Sequence, residues 1–108
     1  MVEFSMREKS MLLVMVTQWM SRLHKGQFSP KEILNIAEYF LWRIDQRRES
    51  YNDGGDEYRF EGYLLRGLIS LDDYVMKMVH IRTAKQLRKD ADDWYGSGDY
   101  GKYFGDFA

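Results

Sequence analysis

Leu12, Val16, Trp19, Met20 and Leu23 recur at helical spacing near the start of the chain and form one apolar stripe. A first helix is predicted over residues 5 to 24 or 25. Ser5 and Glu8 make an S-x-x-E capping box at its start, and Gly26 stops it. Met11 and Val14 lie well off the stripe, so the middle of this helix is apolar almost all round. Such a helix is either central in a bundle or covered by a partner.

Phe28-Ser29-Pro30-Lys31-Glu32-Ile33 marks the start of the second helix. Ser29 is a preferred N-cap, and Pro30 falls at the first helical position, where a missing N–H costs nothing. Glu32 can reach back to close the capping box, and Phe28 and Ile33 are placed for a hydrophobic staple. The helix is predicted over 30 to about 50, with Ile33, Ile36, Ala37, Phe40, Leu41 and Ile44 on one face. At about 100° per residue, Trp42 points roughly away from that face, among Asn35, Glu38 and Asp45. Asn52-Asp53-Gly54-Gly55-Asp56 then reads as a turn.

Asp56 is a candidate cap for a third helix over 56–69, with Phe60, Tyr63, Leu64 and Leu68 in register. Gly62 and Gly67 each weaken it by about 1 kcal/mol relative to alanine. Tyr58-Arg59-Phe60-Glu61 alternates as a strand does, so residues 58–69 as a short hairpin is the competing reading. Ser70 and Asp73 cap a fourth helix running to about residue 94. Its apolar stripe switches sides. Leu71, Tyr74, Val75 and Met78 define one face, and Ala84, Leu87, Ala91 and Trp94 define nearly the opposite one. Either the helix breaks near Arg82-Thr83 or it packs on two different bodies. From Gly96 the chain carries glycines interleaved with Tyr100, Tyr103, Phe104 and Phe107, without periodicity.

These elements predict an all-α protein: a small bundle of three or four helices in a single domain over 1–95, then an aromatic, glycine-spaced C-terminal tail over 96–108. Both disorder and packing are open for the tail. The 108 residues of the whole chain fit one domain with one modest core. Net charge is −1, so there is no overall attraction to nucleic acid or anionic lipid. The absence of cysteine removes disulfides, thiolate catalysis and cysteine-ligated zinc together. The apolar run at 11–16 is far too short to span a bilayer, and a cytoplasmic protein without membrane association is expected.

Candidate chemistry is sparse. His24 and His80 are the whole stock of histidine, and neither has a second histidine or close carboxylate at metal-binding spacing. Asp90, Asp92 and Asp93 do not share one helical face. Gly54-Gly55 has no lysine at phosphate-loop spacing. No catalytic, cofactor-binding or metal-binding residue is assigned, and a non-enzymatic protein without cofactor is expected.

Aromatic residues, 16% of the chain, carry the stronger signal. Trp42, with Tyr39, Arg43 and Gln46 around it, is the candidate partner-binding patch, because Trp, Tyr and Arg dominate binding hot spots. Met11, Val14, Leu87 and Trp94 are the candidates for self-association as a two-fold homodimer. The expected function is stoichiometric binding to a macromolecular partner, a protein. An inhibitor of host machinery from a phage or mobile element is one form this expectation takes. The alternative is a DNA- or RNA-binding regulator that uses two basic strips, Arg43, Arg47 and Arg48 on helix two and Arg82, Lys85, Arg88 and Lys89 on helix four. Acidic residues directly after the second strip weigh against it.

Overall fold

The computed structural model describes residues 6–49 and 57–97. Among these residues five helices follow one another: α1 (Met6–Leu23), α2 (Pro30–Glu49), α3 (Arg59–Leu65), α4 (Leu71–His80) and α5 (Ala84–Gly96). No strand occurs among the described residues, so the bundle is all-α, with five helices there against the three or four expected. The Ser5 cap, the turn over 52–56 and the tail from 98 onward lie outside the described residues. Gly96, placed at the start of the tail by sequence, instead ends α5.

Local chemistry decides where each helix begins. At Ser29 the backbone N–H donates to Glu32 Oε1 at 2.9 Å, and the Glu32 N–H donates to Ser29 Oγ at 3.2 Å. This is the reciprocal box that the sequence predicts. Ser70 Oγ likewise accepts from the Asp73 N–H at 3.1 Å. Replacing Ser29 by alanine should lower the stability of the whole domain by about 1 kcal/mol in urea unfolding, with an unchanged slope. A loss of less than about 0.3 kcal/mol would show that the cap contributes little.

The predicted fourth helix breaks at residues 81–83, and Thr83 restarts it. Its Oγ1 accepts from the Gln86 N–H at 3.1 Å, and its N–H donates to Gln86 Oε1 at 2.8 Å. The switch of stripe is therefore a change of element and of packing partner. In the competing region over 58–69, a short helix forms instead of a hairpin. Gly67 stops it at φ +74, a conformation that glycine adopts without strain. The Leu68 N–H reaches the Tyr63 carbonyl at 2.9 Å and the Gly67 N–H reaches the Leu64 carbonyl at 3.0 Å, the paired bonds of a Schellman stop.

The central helix is α2, which packs against α1, α3 and α5, while α4 closes the far side against α1 and α3. The core joins Leu12, Val16 and Met20 of α1 with Ile36, Phe40 and Ile44 of α2 and Tyr74, Val75, Met78 and Val79 of α4. Leu87, Ala91 and Trp94 of α5 bury their stripe against the other side of α2. α1 lies at the surface rather than at the centre, so part of its apolar circumference faces outward. No helix among the described residues is long and apolar enough to cross a membrane.

Candidate functional site

Two features stand out: a buried ion pair under the aromatic residues of α2, and an exposed apolar face on α1. The ion pair joins Arg43 of α2 to Glu61 of α3. Arg43 Nε donates to Glu61 Oε2 at 3.2 Å, Nη1 to the Tyr39 hydroxyl at 3.0 Å and Nη2 to the Glu57 carbonyl at 2.5 Å. From α4, the Tyr74 hydroxyl donates to the same Glu61 oxygen. Glu61 is 1% exposed and Arg43 8%. Burial opposes the charge on Arg43, but the Glu61 carboxylate together with the Tyr39 and Tyr74 oxygens outweighs it and holds the guanidinium above the ordinary arginine range. Burial, then the Glu61 charge, pushes the Tyr74 phenol well above the usual tyrosine range, so it remains a donor. Both Glu61 oxygens accept from its neighbours. The cluster ties three helices together, and a cleft of about 230 Å³ lined by Phe60, Met78, Ile81 and Arg82 opens beside it.

This placement corrects the patch expected around Trp42. Tyr39 and Arg43 are buried, and Trp42 and Gln46 are half-buried. α5 covers that side of α2: the Trp42 ring lies 5.9 Å from Trp94 and 6.2 Å from Tyr39, and Tyr39 lies 5.8 Å from Trp94. The tryptophan that has no place on the core stripe of its own helix fills the seam with α5. Leu87 and Trp94, expected at a self-association surface, are 1% and 4% exposed and belong to the same seam.

The basic strips are likewise broken up by pairing. Arg48 meets Asp45 at 3.3 Å, Arg82 meets Asp90 at 3.4 Å, Arg88 meets Glu32 at 2.7 Å and Lys89 meets Asp93 at 2.7 Å. Arg43 is buried, and the Arg47 guanidinium lies against Gly62, its Nε 3.2 Å from where a side chain there would begin. Lys85 is exposed. Among the described residues no three acidic or histidine side chains cluster to hold a metal ion. His24 approaches the Val79 carbonyl at 3.2 Å and the edge of Phe28, a packing role at the end of α1.

The outer face of α1 keeps the remaining self-association candidates at the surface. Met11 is 43% and Val14 53% exposed. With Arg7, Ser10, Met15, Gln18 and Asp72 they line an open groove of about 440 Å³. At about 100° per residue this face lies nearly opposite the buried Leu12-Val16-Met20 stripe. Asp72, at the start of α4, is held beside its C-terminal end by the Trp19 indole, which donates to Asp72 Oδ1 at 2.9 Å.

Sequence reasoning missed Glu61. Its only signal is a single acid inside the run Phe60-Glu61-Gly62-Tyr63-Leu64-Leu65, where an acid is costly unless paired. Comparison of the chain with family models, with curated proteins and with solved structures finds no match.

Proposed function

We propose that this chain is a non-enzymatic binding protein that engages a protein partner stoichiometrically, with the outer face of α1 as its contact surface. One observation carries the reading: Met11 and Val14 stand exposed, side by side, on a helix whose other face is already fully used by the core. Burying such side chains is favourable at roughly 25 cal/mol per Å², and nothing within the described fold covers them. The polar residues of the interior are engaged with one another, as in the Arg43–Glu61–Tyr74 cluster, which is what a rigid presenting scaffold requires. Occupying a partner's surface in this way is how a small inhibitor acts. The carboxylate partners of Arg48, Arg82, Arg88 and Lys89 favour a protein over a nucleic acid as the ligand.

The test is capture of partners from a lysate of the cell of origin by the tagged chain, with and without nuclease. The expected result is a protein retained after nuclease treatment and lost with Val14→Glu, whose melting temperature should stay within a few degrees of the parent. Capture that depends on nucleic acid, or that ignores Val14→Glu, overturns the reading.

A further inference from the structure

The groove-lining positions of the outer face of α1 pair about its midpoint. They are arranged symmetrically about the point midway between Leu12 and Leu13, with Met15 half-buried and the others exposed. Met11 and Val14 are equidistant from that point, as are Arg7 and Gln18 farther out, and Ser10 and Met15 at the flanks. By the same 100° count, these residues cluster around a single outward direction. Turned end over end about that point, the face sets Met11 against Val14 of a second copy, Arg7 against Gln18 and Ser10 against Met15, the geometry of an isologous two-fold contact.

Charge supplies the direction. Arg7 stands at the N-terminal end of the face, and Asp72 stands at its C-terminal end, fixed there by Trp19. Parallel pairing would set Arg7 against Arg7 and Asp72 against Asp72. Antiparallel pairing sets each Arg7 opposite Gln18 and beside Asp72 of the second copy, with Met11 and Val14 interdigitated at the centre.

We propose that the α1 face is covered by a second copy of this chain, in an antiparallel α1–α1 dimer closed by two Arg7–Asp72 ion pairs. This inference rests on the reading of α1 as the contact surface and names the protein that occupies it. α1 has 18 residues and is about 27 Å long, so a contact built on this helix alone is at the small end of specific interfaces. The dimer therefore forms and dissociates in the micromolar range rather than being permanent.

The cysteine-free sequence makes the geometry directly testable. Arg7→Cys and Gln18→Cys are each placed on the exposed face, and each variant is oxidised alone and in an equal mixture. Antiparallel pairing predicts the mixed disulfide in the mixture and little product from either variant alone. Sedimentation velocity of the parent chain from about 1 to 300 µM should show a monomer–dimer equilibrium. Val14→Glu should abolish the dimer over that range, and Arg7→Glu should weaken it by about tenfold, with recovery on adding Asp72→Lys. Circular dichroism of each variant verifies that the helices are retained.

A monomer throughout the range, a dimer indifferent to Val14→Glu, or self-linkage of Arg7→Cys in preference to the mixed product each overturns the proposal. The broader reading fails separately. A monomeric parent chain that still captures another protein in a Val14-dependent way keeps α1 as the binding face and removes the second copy from it. A monomer that captures nothing removes both.

Discussion

Glu61→Ala should destabilise the domain by about 3–5 kcal/mol, because it leaves the Arg43 guanidinium buried without its counter-charge. Against a total stability of roughly 5–15 kcal/mol for a domain of this kind, that loss is a large fraction of the total and abolishes the fold at the low end of the range. The Tyr74 hydroxyl loses its acceptor in the same step. Glu61→Gln is the sharper comparison: it keeps the shape and an oxygen for Tyr74 while deleting the charge, so its cost isolates the ion pair. The double variant Glu61→Leu with Arg43→Met removes both charges and should recover part of the loss. Recovery stays incomplete, because Arg43 also satisfies the Tyr39 hydroxyl and the Glu57 carbonyl. Urea unfolding of the three variants decides the matter. A single-variant loss below about 1 kcal/mol would show that the pair is not held in a low-dielectric interior.

Trp94→Ala should cost about 3–5 kcal/mol and should act on α5 before the rest of the fold. α5 packs chiefly on α2, and Trp94 is the more deeply buried tryptophan of that seam, meeting Tyr39 and Trp42. Removing it leaves a cavity between two helices that remain joined by Leu87, Ala91 and the Arg88–Glu32 pair. Amide exchange should therefore show protection lost across α5 while α1, α2 and α4 remain protected. Trp42→Ala, at a half-buried position in the same seam, should cost less, about 1–3 kcal/mol. An unchanged melting temperature for either variant would contradict the packing of α5 on α2.

These two residues also show how far sequence reasoning reaches. Trp94 was legible as the end of an apolar stripe, but the stripe's partner was not, since periodicity states which side of a helix is apolar and not what covers it. Trp42 has the same ambiguity in sharper form. An aromatic residue opposite a core stripe reads as an exposed anchor until a second helix is known to pass over it. Thr83 was readable in principle, because Thr83 and Gln86 have the spacing of a capping box, and that box explains the switched stripe. Glu61 was not readable, because its burial depends on Arg43 from one helix and Tyr74 from another arriving at the same point.

The helix starts at Pro30 and Leu71, the all-α class and the division of α1 into a core stripe with an off-stripe pair at Met11 and Val14 were all determined by the sequence itself. Each depends on interactions between residues three or four apart, and those are set by the chain's own spacing. Which helix occupies the centre, which aromatic residues fill the seam, which basic residues are neutralised and which apolar pair remains outside were decided only by the tertiary structure. These follow from contacts such as Arg88 with Glu32 and Arg43 with Glu61, made between helices brought together by the collapse of the whole chain, and no local pattern encodes them.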